Sequence, residues 1–360
     1  MRKNFFKLEH NKICKINMLP FLFAFSFSAL VSCQQEEING PAADTSIKAR
    51  DSSNFNNTLV TEATTVTPTY TVSTYDQLKS ALSKANSGQV VYLADNAEIN
   101  MTGKGALKVP AGVTLTSGRG KTSTTLGGLI YTTNVAHGNM LTAGGSGVKF
   151  VGLRVKGANT TTSRTSSAYC RGIYSSFPNL EVDNCEIYGW NHAGVYLADG
   201  ATNAYIHHSY IHHNQQSGLG YGISMGKATA KIMNNYFDYN RHAIAGSGIS
   251  GSGYEAAYNT VMPHGTEHSF DMHGYGGDGA NYIAGDYVIV HDNLFYMTAY
   301  SAITVRGTPR EGLNIYNNKF AHKSQIDAMN IYTSTSKRVI GTNSYSIVIS
   351  ASINPGPKSL

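Results

Sequence analysis

The chain has 360 residues with 37 Gly, only 14% charged residues and a formal net charge of +6. Its hydrophobic share of 41% is enough for a sizeable core and too high for a disordered chain. The first 33 residues hold Arg2, Lys3, Lys7, Lys12 and Lys15 against Glu9, so without them the charge falls from +6 to about +2. The basic balance therefore gives no support for nucleic-acid binding.

After that basic start, the apolar stretch 18–31 is too short for a comfortable transmembrane helix. It ends in Leu30-Val31-Ser32-Cys33, which resembles the lipobox of bacterial lipoproteins. The resemblance implies cleavage before Cys33, acylation of its thiol, and a membrane anchor that does not span. Gln34-Gln35-Glu36-Glu37 resembles the acidic tag that sends some Bacteroidetes-type lipoproteins to the cell surface, so an outer-membrane or surface location is expected. Residues 34–70 are rich in Thr, Ser, Asn and Ala and read as a flexible tether; 71–360 read as one domain.

The domain opens with Thr74-Tyr75-Asp76-Gln77, a capping box, followed by Leu78, Ala81, Leu82 and Ala85 at helical spacing, with Gly88 as a stop. A short helix here would cover the open end of a stacked fold. Strand-like runs follow at 90–93, 112–116 and 148–155.

Six segments then repeat one pattern: 182–187, 206–211, 232–237, 256–261, 290–295 and 315–320, whose last residues are 24, 26, 24, 34 and 25 positions apart. Each is partnered by a second strand such as Gly194-Val-Tyr-Leu or Ser269-Phe-Asp-Met. Short strands at that period predict an all-β, right-handed parallel β-helix solenoid with a short N-terminal capping helix. Cys185, Ser209, Asn235, Asn259, Asn293 and Asn318 should stack at one corner as a structural ladder that also tolerates the left-handed backbone the corner needs. Cys170 and Cys185 are expected as buried thiols, although an exported protein permits a disulfide.

Alternation along the second strands gives the outward columns. One reads Tyr174, Tyr196, Ser224, Ala245, Asp271 and Thr304; the next reads Ser176, Ala198, Gly226, Ser247, His273 and Arg306. Arg171, Ala193, Tyr221, His242, His268 and Ser301 form a third column, expected at the bend entering the strand. With coils about 4.8 Å apart, Arg241, His242, His268, Asp271, His273 and Arg306 should converge. Tyr174, Tyr196 and Tyr221 would supply sugar-stacking faces beside them and Lys227 a further cation. The insertions 274–285 and 160–169 would wall the groove.

Repeat and cap together resemble the pectate-lyase-like β-helix superfamily of polysaccharide lyases, uronate C5-epimerases, glycosidases and tailspikes. Ser269-Phe-Asp-Met-His-Gly274 is similar to the Phe-Asp-Pro-His core of mannuronan C5-epimerases, and Ala302-Ile-Thr-Val-Arg306 to that family's Gly-Ile-Ile-x-Ser-Arg strand. The resemblance implies active-site roles for Asp271, His273 and Arg306. It departs at His268, where the family has a tyrosine, at Met272 in place of proline, and at Gly274 in place of an acidic residue.

The expected activity is a polysaccharide lyase acting on a uronic-acid-containing polymer, with C5-epimerase, glycoside hydrolase and non-catalytic glycan binding as alternatives. Arg306 and Arg241 are assigned to the substrate carboxylate and His268 or His273 to proton abstraction. Asp271 is assigned to orienting a histidine, and His242 to a second neutraliser or the acid, a task Tyr221 could also perform. Hydrolysis would need a second carboxyl, with Glu255, Glu267, Asp278 and Asp286 as candidates. His207-His208 and His212-His213 have metal-ligand spacing, but alternation splits each pair and no carboxylate completes a site, so no metal is expected. Neither an oxygen-rich calcium cage nor a phosphate loop for nucleotides is evident, so no cofactor is expected, with calcium, which several relatives of the resembled fold use, as the alternative.

Overall fold

The computed structural model describes residues 67–122, 124–159 and 168–348. The Cys33 segment, most of the tether and residues 160–167 of the earlier insertion lie outside the described residues. The rest is a right-handed parallel β-helix. Three parallel sheets of 11, 9 and 9 strands run its length, and each neighbouring pair belongs to successive coils.

The capping helix spans Tyr75–Lys84. Thr74 accepts from the Gln77 amide while Gln77 accepts from the Thr74 amide, completing the capping box. Leu78, Ala81 and Leu82 are buried against the first coil. The helix ends at Lys84 with Ala85 as its C-cap, so the stop precedes Gly88, which instead takes φ +83 in the following turn. The run 148–155 is two strands, Lys149–Val151 and Arg154–Lys156, because Gly152 at φ +63 turns the chain between sheets.

The core is a set of stacked inward columns. Ile173, Val195, Ile223, Ile244, Phe270 and Ile303 pair in unbroken register and are all fully buried. Burying an aliphatic or aromatic side chain contributes about 1.5–3 kcal/mol, so each coil is held by what its neighbours cover. The coil between Val261 and Phe295 is the 34-residue one, yet its strand Tyr287–His291 pairs without slippage to Gly253–Ala257 and Gly312–Tyr316. Most of the extra length is extruded at the corner between Met272 and Tyr287.

The polar ladder is present. The amides of Cys185, Ser209, Asn235, Asn259, Asn293 and Asn318 each donate to the side chain one coil on, at 2.9–3.1 Å, and Asn343 ends the row. The left-handed backbone belongs elsewhere than expected. It falls on the preceding column, Asn184, His208, Asn234, Tyr258, Asp292 and Asn317, at φ 48–58. The ladder residues are the ones this bend turns inward. Cys170 and Cys185 are free, buried thiols.

Candidate active site

The predicted outward columns lie on the nine-stranded sheet that contains Cys170–Ser175, Ala193–Leu197, Tyr221–Met225, His242–Gly246, Phe270–Met272 and Ile303–Val305. The register places Tyr174, Tyr196, Ser224, Ala245, Asp271 and Thr304 side by side, as alternation requires. Arg171, Ala193, Tyr221 and His242 pair in the third column. Arg171 and Tyr221 are only half-buried, whereas Gly172, Gly194 and Gly222 behind them are buried. The chain thus bends as it enters each strand. A Cβ on Gly172 would meet the Gly194 carbonyl at 2.6 Å and Trp190 at 2.9 Å, which is why glycine sits there.

Asp271 is the centre. It is fully buried, and Arg306 grips it bidentately, Nε to Oδ1 at 2.9 Å and Nη2 to Oδ2 at 2.8 Å. His273 Nε2 lies 3.2 Å and His242 Nε2 3.7 Å from Oδ2. Burial alone would raise the Asp271 carboxyl, but the hydrogen bonds from His273 and Arg306 outweigh it and hold it well below the usual range. The same pair raises Arg306 above its ordinary value. Arg306 Nη1 also reaches Asp278 of the extruded loop at 3.4 Å. Arg306 is therefore neutralised twice. Arg306, assigned from the sequence to the substrate carboxylate, donates instead to Asp271 and fixes it.

The histidines separate into different states. His242 Nδ1 is 2.6 Å from the carbonyl of His268, so it donates there and leaves Nε2 as a lone pair. Burial pushes this imidazole down to about 4, with the Asp271 charge opposing. His242 is thus neutral near pH 7, which removes the role of cationic neutraliser. His268 is also lowered, chiefly by burial, and its Nδ1 has no hydrogen-bond partner. His273 is 44% exposed in its side chain. With Nε2–H directed at Asp271, its Nδ1 is left as a lone pair: an oriented, accessible base.

Arg241 and Arg171 make no ion pair among the described residues. Arg241 stands 6.0 Å from the centroid of the Tyr221 ring, which in turn stacks on His242 at 5.7 Å. Burial raises the Tyr221 hydroxyl, with Arg241 opposing, and this hydroxyl donates to the Gly218 carbonyl. Tyr174 and Tyr196 stack at 5.8 Å and 6°. Arg171 lies 4.1 Å over Tyr196 and donates to His192 at 2.9 Å. His192 packs edge-on against Tyr196 and Tyr221. Alternation gives no signal for His192, which lies just before the column position Ala193, whereas Arg171 shares its column with Tyr221 and His242. Lys227 is not beside these tyrosines. It lies past the strand end with its chain over Gly251.

Among the carboxylates weighed as hydrolytic partners, Glu255 contacts His291 and Lys231 on another sheet, and Asp286 pairs with Arg310. The histidine pairs differ from expectation. At His208 and His213 the backbone is left-handed, so alternation fails and the adjacent rings meet, Nδ1 to Nδ1, at 2.8 and 2.7 Å. A carboxylate, Asp183, does complete the first cluster.

Comparisons with known proteins agree with this architecture. The family model described as "Right handed beta helix region" matches residues 111–261. No curated protein matches the chain. Among solved structures, an alginate lyase from Paenibacillus sp. str. FPU-7 superposes with a TM-score of 0.55 at 17% identity, covering 76% of this chain and 94% of its own. A Yersinia enterocolitica Family 28 exopolygalacturonase gives 0.49 at 10% identity, covering 78% and 64%. The Azotobacter vinelandii mannuronan C-5 epimerase AlgE6 A-module gives 0.45 at 14%, covering 75% and 72%. At such identities the likeness is one of fold.

Proposed function

We propose that the protein is a polysaccharide lyase that cleaves a uronic-acid-containing polymer by β-elimination, held at the cell surface through Cys33. The observation that carries this reading is the Asp271–His273 pair locked by Arg306, with the unpaired cation Arg241 on the same face. The proton at C5 of a uronate is only weakly acidic. Removing it needs an oriented base and positive charge near the C6 carboxylate, where the enolate-like charge develops.

In this reading His273 Nδ1 takes the C5 proton and Asp271 holds the ring. Arg241 faces the carboxylate, and Arg171 with Tyr174, Tyr196 and His192 carries neighbouring sugars. The C4–O4 bond breaks as the C4–C5 double bond forms, and the leaving oxygen takes a proton from Tyr221 or from water. His268, neutral and unpartnered at Nδ1, borders the same path. The superposable alginate lyase offers a precedent for such chemistry on this scaffold. Hydrolysis is less well served, because Asp271 is inaccessible and its partner Asp278 is bound to the same arginine.

The test is incubation with a panel of uronic-acid polymers while following the ultraviolet absorbance of unsaturated uronates. Growth of that signal supports elimination. Solvent deuterium appearing at C5 without absorbance would replace it with epimerisation, and new reducing ends without absorbance with hydrolysis.

A further inference from the structure

One cluster of chemistry-bearing side chains stands apart from this face, at the corner where Ala204–His207 gives way to Tyr210–His212. His207 ends its strand, and His208 takes φ +48, which swings the second imidazole back onto the first. Asp183 occupies the matching position one coil earlier, paired in register with His207. The three donor atoms converge. His207 Nδ1 is 2.8 Å from His208 Nδ1 and 3.0 Å from Asp183 Oδ1, and His208 Nδ1 is 3.5 Å from the same oxygen.

A proton on either ring satisfies one of these contacts and leaves another pair of acceptors facing each other. A cation at the centre satisfies all three. A tetrahedral zinc site with imidazole and carboxylate bonds of about 2.0–2.2 Å has its donor atoms about 3.3–3.6 Å apart, so the 3.5 Å edge already fits and the 2.8 and 3.0 Å edges would open by about half an ångström as the cation enters.

We propose that Asp183, His207 and His208 form a binding site for a divalent transition-metal cation, zinc in the first instance, which staples two successive coils together. Two nitrogen donors favour zinc or its first-row neighbours over calcium or magnesium, which take oxygen. The surroundings suit the role. The His207 ring stacks on Tyr205 at 3.9 Å, and Glu181 Oε1 lies 3.5 Å from its far nitrogen, on the side where a carboxylate fixes the ring of a metal-bound histidine. Lys149 holds Glu181 at 2.6 Å. His207 is buried, whereas His208 and Asp183 keep 25% and 29% side-chain exposure, leaving an entry path and room for a water ligand.

Two related corners show what is specific here. His212 and His213 meet at 2.7 Å, but Glu186 contacts only the far nitrogen of His212. His291 has Asp292 and Glu255 but no second imidazole. Only the Asp183 corner, among the described residues, brings two rings and a carboxylate to one point.

The experiment is calorimetric titration of the chelator-treated full-length protein with zinc chloride, with calcium and magnesium chloride as controls. One zinc per chain is expected in the micromolar range or tighter, with a rise in melting temperature. His208→Asn keeps the left-handed backbone, since Asn184, Asn234 and Asn317 hold that position in other coils, and should weaken zinc by at least about 100-fold. Asp183→Asn should do the same. Absence of zinc binding, or equal affinity in both variants, overturns the proposal. Activity on uronate polymers should be unchanged in His208→Asn, which keeps this outcome separate from that of the proposed reaction.

Discussion

The asparagine corner and the Asp271 face are built on the same stacked strands, yet their polar groups behave oppositely. At the corner, the asparagine rungs repeat one pattern: Asn259 accepts from the amide of Asn235 and donates to the Ile232 carbonyl and to Asn293, and Asn235, Asn293 and Asn318 make the same donations in their own coils. On the face, the rungs beyond the stacked Tyr174 and Tyr196 all differ, and His242 Nε2, His268 Nδ1 and Thr304 Oγ1 are buried without a hydrogen-bond partner. Repetition with full satisfaction marks groups that hold a solenoid together. Irregularity with unmet demand marks groups kept for something that arrives from outside.

The largest effect should come from removing the accessible base. His273→Ala is expected to lower kcat about 10²–10⁴-fold, the usual worth of general-base catalysis, with little change in melting temperature. Retention of full turnover on the polymer that the wild type cleaves would shift the base to His268.

Arg306→Ala strikes the face through stability as well. It leaves a fully buried carboxylate without its bidentate partner, which costs about 3–5 kcal/mol, lowered by whatever His273 still supplies. Chemical denaturation should show it. A loss under 1 kcal/mol, roughly that of an exposed pair, would mean that water enters the site.

Acid sharpens the same contrast. His242 has a folded-state value of about 4, depressed from 6.5, so the unfolded chain binds the proton more readily. Stability should therefore fall as pH drops from about 6.5 to about 4, by about 3 kcal/mol in total. Asp271, depressed as well, contributes stability that is present above its unfolded value near 3.8 and is lost as pH falls further. Melting curves across this range should steepen relative to His242→Phe, which removes the first titration. Identical slopes would place the acid sensitivity elsewhere.

The smallest change is at the corner. Asn259→Ala strands a buried amide and should cost about 2 kcal/mol, with kcat and KM unaltered. A large kinetic effect would erase the distinction between the two regions.

Much of this contrast is legible in the sequence because buried columns repeat. The spacing of Ile187, Ile211, Phe237, Val261, Phe295 and Phe320 gives the coil period, and alternation from Ile223 or Phe270 gives the outward columns in their actual register. Partner choice inside a column is not legible. Alternation places Asp271 outward but is silent on its burial beneath Arg306 and His273 and on the loop residue Asp278 reaching back to the same guanidinium. Left-handed corners are also invisible to a period-two pattern: Asn signals them at positions 184, 234 and 317, whereas His208 and Tyr258 adopt the same φ without the usual residue type. That gap hid the histidine–aspartate cluster.

The 34-residue coil has a practical meaning. Because most of its additional residues leave at one corner while the flanking rungs keep register, the tip of the wall beside Asp271 can be varied without disturbing the stack, provided that Asp278, which holds Arg306, and the buried Ala284 are kept. Under the proposed reaction, substrate preference becomes in that sense an exchangeable part, to be tested by a library varied between Gly274 and Gly285 with Asp278 and Ala284 retained.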